Sequence, residues 1–365
     1  MSKSKPIKKS SQSQKPSPPK KRVGAKLGAS HQPNPIPDTQ DKPYGLVPLT
    51  TQGIDRQIPV GQDKFKHDRF SGKLHLALTV QTASFVASGV VAMGRDVDLK
   101  ADLIKTAVHQ KNQLIIPGSS LKGVVRSTYE ALTRSCLCKT KAKRDEIPKG
   151  HGECKIQKDK IEVCPACRVF GAMGWQGLVA FPDAVGQKVS TSVGFMPSLY
   201  RPRTENPMYQ NDGKVSGRKF YYHAVKAVNA GEQRGIPVQQ AGQAYVFKTA
   251  LQFKNLTEAE LGTLLVILGQ DSDYPMALKV GGGKPIGMGS MVVTVEALEK
   301  PGNLKSRYTH YVLPDSDHLT DEPLKRFMQT AIVAAHQTLI EEYQLKELAR
   351  ILAWPTQRPA PEGMY

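Results

Sequence analysis

Residues 116–126, Ile-Pro-Gly-Ser-Ser-Leu-Lys-Gly-Val-Val-Arg, constrain this chain more than any other stretch. Residues 113–116 are a short apolar approach suited to a strand, and Pro117-Gly118 breaks it. Ser119 or Ser120 then caps a helix that runs through Val124, Val125, Tyr129 and Leu132. A serine at a cap accepts a hydrogen bond from a first-turn amide. The remaining amides and the helix dipole leave a small positive cup facing outward. Lys122 and Arg126 stand four residues apart, so both charges lie on one face behind that cup. Such a corner suits a phosphate; a capped helix with a solvated basic face is the plainer alternative.

Charge points the same way. Lys plus Arg outnumber Asp plus Glu by 51 to 32, a net charge of +19 with a pI near 9.6, which favours a polyanionic partner, most simply nucleic acid. Residues 1–27 hold nine Lys or Arg and no acid, among Ser, Gln and Pro, so nineteen less nine leaves +10 for the rest. That tail has too little apolar surface to order itself; it is either a non-specific grip on RNA or DNA or a solubilising extension. No apolar run is long enough for a membrane span and the N-terminus lacks a secretory core, so the expected location is cytoplasmic. At 365 residues the chain has room for one large or two small domains.

All five cysteines fall between 136 and 167, which is not the spread of a disulfide framework. A C-x2-C pair, Cys164 and Cys167, presents two thiolates to one tetrahedral ion, and the Lys-rich loop before it can supply two more ligands. The set chosen for structural zinc is Cys138, Cys154, Cys164 and Cys167, with Cys136 or His151 as substitutes. A redox-active pair is the rival reading.

The other elements follow from pattern. A strand is expected over 73–84, with Leu74, Leu76, Leu78 and Val80 alternating with smaller or polar residues. The loop 88–100 carries Asp96 and Asp98, with Asp102 close behind. One such carboxylate can hold a divalent metal or position an attacking 2′-hydroxyl, unless all three are solvated turn acids. His109 can supply a base or lie idle on the surface. Between 186 and 235 basic residues stand beside aromatics, including Arg201, Arg203, Arg218 and Lys219, as a single strand of RNA would want. In the plainer reading, Phe220, Tyr221 and Tyr222 alternate along a half-buried strand. A strand is expected over 245–254, and Thr257-x-x-Glu260 is a capping box opening a helix over 261–268. Gly281, Gly282, Gly283 and Lys284 form a glycine-rich loop that lets amides approach an anion, or a plain hairpin; the spacing is not that of a nucleotide-triphosphate loop. A helix capped by Thr320 closes the pattern, with Leu324, Phe327, Met328, Ala331 and Ala335 on its apolar face.

Four motifs in this order, 117–126, Cys164-Pro-Ala-Cys-Arg-Val-Phe-Gly171, 255–262 and 281–289, resemble the RAMP superfamily of CRISPR type III effector complexes, in particular its backbone subunit. The segment Gly217-Arg-Lys-Phe-Tyr221 looks most like the type III-D branch. The resemblance implies an α+β, modified ferredoxin-like (RRM-type) fold with insertions and a structural zinc module. The resemblance covers roughly 44–295, so the expected divisions are an RNA-binding domain over 44–300, flanked by a disordered basic tail and linker over 1–43 and a C-terminal helical extension over 301–365 that have no counterpart in the family pattern. Within the domain, the zinc module would span about 134–170 and a thumb-like insertion about 186–235. It implies that Ser119, Ser120, Lys122 and Arg126, with Gly281, Gly282, Gly283 and Lys284, meet the phosphates of a guide RNA. Thumb-like loops at 190–215 would push between guide and target. Complementary target RNA and the other subunits of the complex are the implied partners, with no membrane. In such subunits an aspartate before the Pro-Gly-Ser-Ser motif cuts the target with Mg2+ or another divalent cation; Asp96, Asp98 and Asp102 are the candidates here. A purely architectural RNA-binding subunit, or a guide-processing endoribonuclease using His109 or His223, are the alternatives.

Overall fold

The computed structural model describes residues 42–97, 100–138, 140–158, 161–187, 191–199, 209–228, 235–302, 309 and 317–361. The basic tail, Asp98, Arg201 and Arg203 lie outside them.

Alternation sets the first elements. β1 (Tyr44–Pro48) is short; β2 (Phe70–Val80) turns Leu74, Leu76, Leu78 and Val80 inward, none more than 3% exposed. β3 (Ala87–Met93) and β4 (Leu103–Ala107) make a hairpin, and β5 (Gln113–Ile116) leads into α1 (Gly118–Leu132). After the cysteine-bearing loops come α2 (Pro165–Phe170), β6 (Ala184–Gly186) and β7 (Ser192–Pro197). β8 (Gly217–Tyr221), β9 (Gly235–Gln240) and β10 (Val246–Leu256) precede α3 (Glu258–Ile267). The chain continues through β11 (Leu278–Lys279), β12 (Ser290–Glu299), α4 (Asp321–Thr338) and α5 (Glu342–Leu352).

The main sheet runs β11-β12-β2-β10-β6-β5. Its pairings are antiparallel, with Leu78 opposite Phe247 on one side and Val293 on the other. Taking β2, α1, β6, β10, α3 and β12 as a βαββαβ unit, the strand order is fourth, first, third, second: a ferredoxin-like arrangement, as expected. A second sheet, β7-β9-β4-β3, joins the insertion to the β3–β4 hairpin through the parallel contact of Val238 with Lys105. β1 pairs with β8.

Helix packing is tight where the residues are small. Thr257 and Glu260 form both halves of the capping box at α3. A Cβ at Gly262 would stand 1.8 Å from the Ala331 carbonyl oxygen, so α3 and α4 cross backbone against backbone. One terminal helix is expected from the pattern, but there are two. Leu345, Leu348, Ile351 and Leu352 form a second helical stripe, and α5 packs on α1, β1 and β8. Trp354, beyond it, meets the buried ring of His223 edge-on at 5.6 Å.

Candidate functional site

The corner around α1 forms where expected but is capped differently. Its N-cap is Pro117, with no side-chain cap; Ser119 is exposed and Ser120 half-exposed in the first turn. The Asp183 carboxylate accepts the Gly118 amide at 2.8 Å, so the protein's own anion already sits at this helix end. The serine cap is thus a correction: Asp183, distant in sequence, performs that role. Lys122 is half-buried and makes no hydrogen bond or ion pair among the described residues, and burial, then the nearby Arg126, lowers its pKa.

Arg126 points elsewhere. Its Nε donates to Glu130 Oε1 at 2.9 Å, Nη1 to the Gly171 carbonyl at 3.0 Å and Nη2 to Cys167 Sγ at 3.4 Å. Arg218 is equally inward: it pairs with Glu130 at 3.5 Å and donates to the carbonyls of Glu130, Ser135 and Cys136. Both were expected to meet RNA, but both are consumed in holding the cysteine module to α1. Sequence alone does not distinguish an outward Arg from one that satisfies buried carbonyls.

The module itself is a metal-sized cluster. The thiols of Cys136, Cys154, Cys164 and Cys167 are buried and lie within 4.8 Å of one another, with Cys136 to Cys164 at 3.5 Å and Cys136 to Cys167 at 3.7 Å. A tetrahedral ion with bonds of about 2.3 Å to sulfur needs sulfur pairs about 3.8 Å apart, so the donor set fits zinc. All five cysteines are free thiols. Donors also face the sulfurs: Arg126 on Cys167, and the Cys164 amide on Cys154 at 3.4 Å. Cys138 was the expected fourth ligand, and Cys136 takes its place. Two residues along a non-helical segment span up to about 7 Å, so only one of the two thiols joins the four-sulfur group; the other lies beside it, 3.8 Å from Glu153 Oε1. His151 is buried but stays outside the cluster.

The glycine loop carries one charged side chain, Lys284. Gly281, Gly283, Gly287 and Gly289 all have φ between 67° and 90°, and a Cβ at Gly289 would stand 2.1 Å from the Val280 carbonyl, so the turn itself requires them. The amides of Gly281, Gly283 and Lys284 donate to nothing among the described residues, and Lys284 Nζ has no partner there either. Burial holds the Lys284 pKa down. Beneath it Lys279, which pattern alone gave no reason to single out, donates to the Gly287 carbonyl and to Ser290 Oγ, both at 3.1 Å; burial, then Lys284, pulls it down to about 7.

His223 is closed off from any strand. It is 1% exposed, bonded to Ser290 Oγ at 2.8 Å and the Ala277 carbonyl at 3.0 Å, which removes it from acid–base work on RNA. Burial, then Lys279, pulls it down to about 3. An unfolded histidine titrates near 6.5. Below that pH the unfolded chain takes up a proton that the fold refuses, so stability falls by up to about 1.4 kcal/mol per pH unit as pH drops from about 6.5 towards 3. Urea denaturation at about pH 7 and about pH 5 should show His223→Gln losing less stability over that interval than the parent. Lys279 adds its own dependence only above about 7.

The remaining candidates scatter. Asp96 sits on the exposed turn joining β3 to β4, 3.8 Å from Arg95, with Asp102 exposed nearby. Neither belongs to a metal-sized group among the described residues. His109 lies on a two-residue edge strand, its Nδ1 3.0 Å from the Ala107 carbonyl. Lys219 Nζ stands 3.7 Å from the Tyr44 ring centre and 4.8 Å from that of Tyr221, and donates to Tyr209 at 3.0 Å. Among the described residues of the insertion it is the basic residue seated among aromatics, a cation held by rings rather than a ring offered to a base.

Residues 78–292, more than half the chain, match the family model described as the RAMP superfamily. No curated protein sequence matches. Among solved structures, the chain is similar to one in "Cryo-EM structure of the Type III-B Cmr-beta bound to cognate target RNA", at 14% identity and a TM-score of 0.35, covering 63% of this chain and 61% of that one. No described helix is long and apolar enough to cross a membrane.

Proposed function

The chain belongs to the RAMP superfamily, and from that footing we propose that it is an RNA-binding subunit of a type III CRISPR effector complex, gripping guide phosphates with its glycine loop and Lys122. The observation that carries this reading is the loop at 281–284, where amides and a half-buried ammonium, all without partners among the described residues, lie on a turn that holds no acid. Burying a cation without a counter-charge costs free energy; an incoming phosphate offsets it. The four cysteines would hold zinc as a structural cross-link between α1 and α2 and supply no chemistry. The Gly217-Arg-Lys-Phe-Tyr221 strand is the basis for favouring the type III-D branch, although its Arg218 serves the module rather than the RNA. Binding is favoured over cutting because the described loop acids, Asp96 and Asp102, stand exposed and apart from any metal-sized group.

The test is to purify the full chain with its co-expressed partner subunits and extract the nucleic acid. RNA of discrete length, sensitive to ribonuclease and resistant to deoxyribonuclease, is expected. A nucleic-acid-free assembly, or one loaded with DNA, would end the proposal.

A further inference from the structure

A cleft of about 640 Å³ lies where α1, the start of β2 and the end of β10 meet. Roughly 300–1,000 Å³ is the range of pockets that enclose small organic ligands. Its floor is apolar, with Val179 and Phe253 both under 5% exposed. One wall is Phe65, which is 38% exposed, unusual for a phenylalanine, with Lys254 Nζ 4.1 Å from its ring centre. Gln176 and Gln252 line it with side-chain amides that are exposed and make no hydrogen bond among the described residues. Lys122 lines it too, with no hydrogen-bond or ion-pair partner among the described residues. The acid among the lining residues, Glu299, is neutralised by Lys73 at 3.2 Å and bonded to His75 at 2.7 Å, so the cleft is cationic.

An apolar floor, an aromatic wall, two uncommitted amides and one uncommitted ammonium match the parts of a nucleotide: two faces of a base, its hydrogen-bonding edge and a phosphate. We propose that the cleft seats one unpaired nucleotide of the bound RNA, with its base against Phe65 and Phe253, its edge on Gln176 and Gln252, and its phosphate on Lys122. A base within a duplex cannot lay its face on such a floor, so the occupant is single-stranded or turned out of a helix. The inference rests on the RNA reading above and adds a site distinct from the glycine loop. Nearby on the main sheet, Lys248 is paired with Glu296 and Lys73 with Glu299.

The test uses the full-length chain and a short oligouridylate carrying 4-thiouridine, cross-linked by long-wavelength light, with the attachment sites read by peptide mass spectrometry. Cross-links are expected at Phe65 and within residues 176–181. Ala180→Trp, at an exposed position that lines the cleft, should fill it, abolish those cross-links and weaken binding about tenfold, the scale of one lost stacking contact. Phe65→Ala should do the same from the opposite wall, and melting curves confirm that both variants fold. Lys122→Gln should reduce the salt slope of binding by about 0.7. Normal binding by the parent with cross-links only elsewhere, or full affinity in Ala180→Trp, overturns the cleft while leaving RNA binding intact. A parent chain that fails to bind the oligonucleotide at all removes the RNA reading, and this one with it.

Discussion

Replacing Cys136 with serine should strip the chain of zinc and destabilise the region around α1 and α2, whereas Cys138→Ser should do neither. The two thiols are two residues apart and both buried, so burial alone does not separate them. Position does: Cys136 lies 3.5 Å and 3.7 Å from two partner sulfurs, and Cys138 is absent from the metal-sized group. The surroundings enlarge the effect. Glu130, 7% exposed, balances Arg126 and Arg218, and those two guanidiniums hold Cys167 and the Cys136 carbonyl. Loss of the ion frees the segment that fixes both arginines, leaving buried charges under-compensated. Structural zinc supplies about 10–16 kcal/mol of apparent binding energy in small zinc modules, so losing one ligand should cost roughly 3 kcal/mol or more. In a chain of 365 residues, with about 2.1 cal/mol/K of unfolding entropy per residue, that is a fall of about 4 °C in Tm or somewhat more. Metal analysis and thermal melting of the two variants decide it; equal zinc content in both, or a zinc-free parent, would discard the assignment.

Most of the scaffold was legible because it depends on local pattern. The alternation of Leu74, Leu76 and Leu78, the Thr257–Glu260 box and the apolar approach to α1 each specify their element without help from distant residues. The site was less legible, because partners far apart in sequence decide what each charged residue does. Lys122 and Arg126 look interchangeable on a helical wheel, yet among the described residues one has no partner and the other is bound to three. Asp183 at the start of α1, Lys279 under the glycine loop and the meeting of Gln176 and Gln252 on the lining of one cleft are likewise products of tertiary structure. The choice of Cys136 over Cys138 turns on a few ångströms of reach, which spacing cannot resolve.

Lys284→Gln should weaken RNA binding without lowering the melting temperature, and the double change with Lys122→Gln should do so more strongly. Both lysines are partly buried and unpaired among the described residues, and burial depresses both pKa values, so in the free protein each ammonium is held at a cost. Removing an uncompensated charge relieves that cost; a residue retained for stability would show the opposite sign. On RNA, each lysine that contacts a phosphate contributes about 0.7 to the slope of log K against log salt for a single strand. The double variant should therefore lose about 1.4 from the slope. At roughly 1–1.5 kcal/mol per contact, its affinity should fall about 30- to 150-fold near physiological salt. Arg126→Gln supplies the contrast, since that side chain is tied to Glu130, Gly171 and Cys167. It should lower Tm by several degrees and leave the salt slope of the folded fraction unchanged. Fluorescence anisotropy across a salt series, paired with melting curves of the same preparations, separates the two classes. If the lysine variants lost stability and kept the parent's slope, these ammonium groups would belong to the fold, and the anion that the loop's free amides await would have to be sought elsewhere.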